Sequence, residues 1–166
     1  MKTILLLLFT SLTIAQGDFK IESNKLIWQK VFDLDISKDD FIKNLKLSGN
    51  FYDIEYDSFI STNIKEVPID YKASGYKVAN TPMYISSSNI IGDVIIEFKE
   101  EKYRVTVSNI KLKGNIPNLA VHQTMVELKD YAVKNNEFKK AFKTKHYVIF
   151  DNQIHDMFKV VALDNW

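Results

Sequence analysis

The run Asp93 to Ser108 (DVIIEFKEEKYRVTVS) constrains this chain more than any other. Folded about Glu100-Glu101, it sets Phe98 opposite Tyr103, Ile96 opposite Val105 and Val94 opposite Val107. All six then share one face, because strand side chains alternate. Glu97 falls opposite Arg104 on the other face as an opposite-charge pair. The turn lacks Asn-Gly, but the apolar face specifies the register.

The flanking segments supply both sheet and cover. Lys25 to Leu34 (KLIWQKVFDL) is aromatic and β-branched and predicts a strand. Ser37 precedes Lys38-Asp39-Asp40, a helix start with a capping hydroxyl and acidic residues at the positive end of the dipole. Phe41, Ile42 and Leu45 give that helix a narrow apolar stripe, over about 38–47, and Gly49 suits its left-handed cap. Phe51 to Ile60 alternates as a strand. Asn63 to Asp70 is a shorter one, held to an edge or boundary by Pro68. Tyr71 to Val78 and Met83 to Ser86 continue the strand signals, and 86–89 is a loop. Past the break at 114–118 the period lengthens. Val121, Met125, Leu128 and Ala132 predict one helix, Phe138 and Phe142 form an i, i+4 pair, and Tyr147 to Val161 traces a last helical face. A short strand at 147–150 with a helix from Asp151 is the alternative for that stretch. The expected fold is α+β: a curved antiparallel sheet of about five to six strands with helices packed on one face, in the order β-α-β(4–5)-α(2–3).

The N-terminus bears on destination. Met1-Lys2 is followed by Thr3 to Ile14 (TILLLLFTSLTI), which carries no charge, and then by Ala15-Gln16-Gly17-Asp18. The apolar span would rise only about 18 Å as a helix, too short for a bilayer core of about 30 Å. It has the form of a cleavable signal peptide with a cut after Ala15. The expected organisation is a signal peptide at 1–15, a flexible lead-in at 16–24 and one domain at 25–166, placed outside the cytoplasm, periplasmic or secreted. The chain has no cysteine, so neither a lipid anchor nor a disulfide is expected, and an ordinary hydrophobic core must hold the domain. Removing Lys2 from 22 basic residues leaves 21 against 21 acidic ones. A neutral chain with one arginine, Arg104, speaks against nucleic acid and against an anionic membrane surface as partner.

Sites of chemistry are sparse in the sequence. His122, His146 and His155 have no metal-ligand spacing, and no cysteines accompany them. Asp39-Asp40 and Glu100-Glu101 suit a helix start and a turn tip better than a catalytic pair, and Asp33-Leu34-Asp35 lacks the continuation of a calcium loop. No Gly-x-Ser-x-Gly elbow or glycine-rich phosphate loop occurs. No metal or cofactor is therefore expected. The candidates for a binding surface are Tyr52, Tyr56, Tyr76, Tyr84 and Arg104, since tyrosines with Ser and Asn on strands can present a flat amphipathic surface.

A first strand ending in Val-Phe-Asp-Leu leads into Ile36-Ser37-Lys38-Asp39-Asp40-Phe41, and a late hairpin carries Glu101-Lys102-Tyr103-Arg104 before Val105-Thr106-Val107-Ser108-Asn109. With the apolar leader and the C-terminal helix, this resembles a family of exported Bacteroidota proteins, a domain of unknown function with a TBP-like fold. The resemblance implies a curved antiparallel sheet with helices on one side. It implies no activity and carries over no functional residue.

The expectation is thus a non-catalytic binding or interaction module, meeting a protein, a glycan or a small apolar ligand through the open face or edge of its sheet. The alternatives are a small hydrolase-like enzyme built from dispersed groups such as His122, His155 and an aspartate, and a carrier of a small apolar ligand. A histidine–carboxylate pair in a cleft would favour the enzyme, a closed aromatic cavity the carrier, and a broad exposed aromatic patch the interaction module.

Overall fold

A computed structural model describes residues 14–114 and 125–159. Most of the expected leader, the break at 115–118, Val121, His122 and Val161 lie outside the described residues.

The hairpin forms in the expected register. β6 (Ser88–Lys99) pairs with β7 (Lys102–Gly114), with Phe98 opposite Tyr103, Ile96 opposite Val105, Val94 opposite Val107 and Glu97 opposite Arg104. Glu100 takes a φ of 56° to make the turn. β3 (Lys25–Asp33) lies along the other edge of β7, from Trp28 opposite Val107 to Asp33 opposite Lys102.

The expected flexible lead-in is instead part of the sheet. β2 (Phe19–Glu22) pairs with β3 through a two-residue turn, and β1 (Ile14–Gln16) pairs with β2. Ser23 and Asn24 in that turn have φ of 47° and 62°, a conformation whose twist matches the flanking strands. Phe19 and Ile21 alternate into the core, and these two apolar positions anchor a segment that is polar on average. A cut after Ala15 would leave only Gln16 of β1.

Helix α1 (Lys38–Ser48) follows the expected plan. Asp40 N donates to Ser37 Oγ at 3.1 Å, Gly49 closes the helix at φ 70°, and Phe41 and Leu45 are its buried residues. The next segment departs from expectation. Instead of one strand over 51–60, the chain makes a single bridge from Phe51 to Ile64, bends, and forms only the two-residue β4 (Glu55–Tyr56) before β5 (Ile60–Pro68). Residues 71–80 are turns and a short 3-10 segment, and Met83–Ser86 is one helical turn, α2, not a strand.

The expected helix across 121–132 is divided. Met125–Glu127 forms β8 on β7, and only Leu128–Ala132 is helical, as α3. A small hairpin, β9 (Val133–Lys134) and β10 (Glu137–Phe138), turns through Asn135 and Asn136, both at positive φ. A π-helical turn over Phe142–His146 runs into α4 (Tyr147–Phe158). The helical reading of 147–150 is the one adopted.

The main sheet runs β1-β2-β3-β7-β6-β5-β4, with β8 on β7, so the described residues form eight antiparallel strands in it where about five to six were expected. The extra ones are short pieces at its margins. Helices α1 and α4 cover one face. Phe41 of α1 packs edge-on to Phe98 and against Tyr103, and Phe158 of α4 stacks on Trp28. Trp28, Phe41, Phe142, Phe150 and Phe158 are fully buried between the layers. No described helix is long and apolar enough to cross a membrane.

Candidate functional site

Among the described residues, no helix lies on the opposite face of the sheet. The alternation that buries Trp28, Val94, Ile96, Val105 and Val107 turns Gln29, Val31, Ile95, Glu97, Arg104 and Thr106 outward. Cross-strand register places these side chains in rows: Gln29, Thr106, Ile95 and Ser61 in one, Val31, Arg104 and Glu97 in the next. Most of the polar ones pair with each other. Gln29 Nε2 donates to Thr106 Oγ1 at 2.8 Å, Lys20 Nζ to Gln29 Oε1 at 2.9 Å, and Arg104 Nη2 to Glu97 Oε2 at 2.7 Å.

Toward one end of this face, two irregularities flank the same point of β6. β5 spends Lys65 and Glu66 opposite Ile91, and β7 spends Asn109 and Ile110 opposite Gly92. Asn109 has φ 48°. Such bulges bend strands and re-aim side chains. The bend leaves a groove of about 460 Å³ lined by Tyr52, Asp53, Asn63, Glu66, Asp93, Asn109 and Lys111, among others. Asp93 joins two of the lining residues, accepting from Asn63 Nδ2 at 2.9 Å and from Asn109 Nδ2 at 2.5 Å. Tyr52 is 51% exposed, with Lys65 Nζ 5.6 Å from its ring centroid.

The five candidate residues do not form one surface. Tyr52 belongs to the groove just described. Tyr56, 47% exposed, stands edge-on to Phe98 near the hairpin turn, where Phe98 and Arg104 line a shallow depression with Val31 and Tyr103. Tyr76 and Tyr84 lie on the helical side and both meet the π-helical turn. Tyr76 donates to Lys145 O at 2.7 Å, and the Tyr84 hydroxyl lies 2.6 Å from His146 Nδ1. The bends at 53–59 and the turns at 71–80 divert the chain between these tyrosines, so they do not lie together on strands of one surface.

The contact between Tyr84 and His146 escaped sequence reading because 62 residues separate the partners. Burial raises the Tyr84 hydroxyl well above the ordinary phenol range, and Tyr131, stacked at 4.0 Å between centroids, adds to it. Burial, with Lys145 nearby, lowers His146 below 6.5. Both shifts favour a neutral pair in which the phenol donates to Nδ1. Tyr84 and Tyr131 border a small apolar depression of about 170 Å³ with Leu112 and Val126. His155 Nδ1 lies 3.1 Å from the carboxylate of its neighbour Asp156 on an exposed helix face. Among the described residues, no group of three or more histidine, aspartate or glutamate side chains could hold a metal ion.

No family model and no curated protein matches this chain. A solved structure is similar to it: the crystal structure of a TBP-like protein from Parabacteroides distasonis, at a TM-score of 0.49 and 12% identity, covering 82% of this chain and 92% of that one. The likeness is one of shape, and the fold described above stands on its own strand order and register.

Proposed function

We propose that this chain is an exported, non-catalytic binding module that meets its ligand on the uncovered face of its sheet. The observation that carries this reading is the one-sided architecture. Helices α1 and α4 pack on the face of Trp28 and Tyr103, and the opposite face presents rows in which polar side chains held by cross-strand hydrogen bonds flank the exposed Val31 and Ile95. A surface ordered before contact loses less entropy on binding than one that must be ordered by it. Export is supported by the apolar run Thr3 to Ile14 after Lys2, and the absence of cysteine suits a protein without a lipid anchor. The near balance of charge speaks for a partner that is neither nucleic acid nor an anionic membrane.

The test is amide chemical-shift mapping of the purified chain against panels of glycans and of extracellular proteins. The expected outcome is shifts confined to β3, β5, β6, β7 and the adjoining residues 51–53, weakened in Ile95→Arg, which sets a bulky charge on the uncovered face. Shifts confined to the helical side, or turnover of ester, glycoside or peptide substrates by the chain, would overturn the reading.

A further inference from the structure

We infer that the groove at the paired bulges is a binding site for a neutral saccharide; this rests on the proposed binding role of the uncovered face. Three features point to that ligand class.

The first is the aromatic ring. Tyr52 stands half exposed at the groove wall, on a segment fixed to the sheet by Tyr52 N donating to Asn63 O at 2.9 Å and Thr62 Oγ1 donating to Tyr52 O at 2.7 Å. An aromatic face held in place is what the C–H face of a pyranose packs against, with apolar contact on the ring and a polar tip for a hydroxyl.

The second is the amide–carboxylate triad among the residues that line it. Asn63 and Asn109 each give one amide N–H to Asp93, which fixes both side-chain planes. Each amide retains a second N–H and its carbonyl oxygen, and Asp93 retains lone pairs. Adjacent sugar hydroxyls, each both donor and acceptor, match such a row of planar donors and acceptors.

The third is charge. The carboxylates of Asp53, Glu66 and Asp93 are balanced by Lys111 in the groove, by Lys113 paired with Glu66, and by Lys65 over Tyr52. A balanced site gives no net attraction to sulfated or uronic sugars and favours an uncharged one. The volume of about 460 Å³ falls within the usual range for small-ligand sites.

The experiment is titration of the full chain with short neutral oligosaccharides and their sulfated counterparts, followed by calorimetry and amide shifts. Binding of a neutral oligosaccharide, little changed by salt, is expected. Tyr52→Ala should weaken it roughly tenfold, the scale of one lost stacking contact. Asn63→Asp, which sets a second carboxylate against Asp93, should weaken it further, whereas Asn152→Ala on the helical side should leave it unchanged. Circular dichroism verifies that each variant is folded. Preference for the sulfated sugars, or no saccharide binding, overturns the inference. Binding that survives Tyr52→Ala but is lost in Ile95→Arg overturns the groove and leaves the wider role of the face standing. Binding indifferent to both substitutions overturns both.

Discussion

The indole of Trp28 donates through Nε1 to Oδ1 of Asp151 at 2.7 Å, joining the first long strand to the last helix across 123 residues. Trp28 is completely buried and Asp151 partly so. Burial raises the Asp151 carboxyl above its ordinary value of 3.8, against the opposing pull of the indole N–H. The folded state therefore holds its proton more tightly than the unfolded state does. That contribution is full below 3.8 and is lost as pH rises through the folded value. Asp151→Asn keeps an acceptor for the indole and removes the titration. In urea unfolding from about pH 4 to about pH 6, the variant should gain on the wild type as pH rises. Asp151→Ala, which leaves the indole N–H unpaired, should cost about 1–3 kcal/mol.

His146 carries the opposite sign. Its folded form resists protonation, so the unfolded chain binds a proton that the folded chain refuses once pH drops below 6.5. Wild-type stability should fall between about pH 7 and about pH 5 from this group, and His146→Gln should flatten that part of the profile. Equal slopes for the two proteins in urea titrations would rule out the half-buried neutral pair with Tyr84.

Gly92 lies at the bulge between β6 and β7. A Cβ there would sit 3.1 Å from Val107 Cγ1 and 3.2 Å from Ser108 O. Gly92→Ala should destabilise by about 1–3 kcal/mol through overpacking. The midpoint of urea unfolding should fall without a change in slope.

Phe158 closes the core from the end of α4. Its ring is wholly buried, 6.3 Å from Trp28 and 5.2 Å from Phe51 between centroids. Its carbonyl accepts from the Tyr103 hydroxyl at 2.8 Å. Phe158→Ala should cost about 3–5 kcal/mol by leaving a cavity. Tyr103→Phe, which removes one hydrogen bond to that carbonyl and no volume, should cost about 1 kcal/mol. A thermal unfolding series of the two variants separates packing from polar anchoring.

What the sequence disclosed follows from how local each signal is. The hairpin register was legible because six apolar residues from Val94 to Val107 admit only one alignment, and α1 because Ser37 and Gly49 mark both its ends. The lead-in was misjudged because Phe19 and Ile21, the residues that bury it, sit among Lys, Asp and Glu. Phe51 to Ile60 alternates well, yet only the Phe51–Ile64 bridge and the short β4 pair there, since alternation does not specify a partner. Met125 fits a helical face but lies in β8, where its edge position on β7 decides. The groove was half legible: Tyr52 stood out, whereas Asn63, Asp93 and Asn109 come from three strands and meet only through two bulges that no residue pattern announced.

The strand order has a kinetic consequence. β1, β2 and β3 wind one after another, as do β4 through β7, and both meanders can form from near neighbours in sequence. Among the described strands, the β3–β7 line from Trp28–Val107 to Asp33–Lys102 unites them, and closing it means ordering the long intervening chain before any of its contacts is gained. That line is the expected late step of folding, and the point at which two copies could exchange their first three strands. In pulse-labelled hydrogen exchange, amides shared by β6 and β7 should gain protection before those shared by β3 and β7.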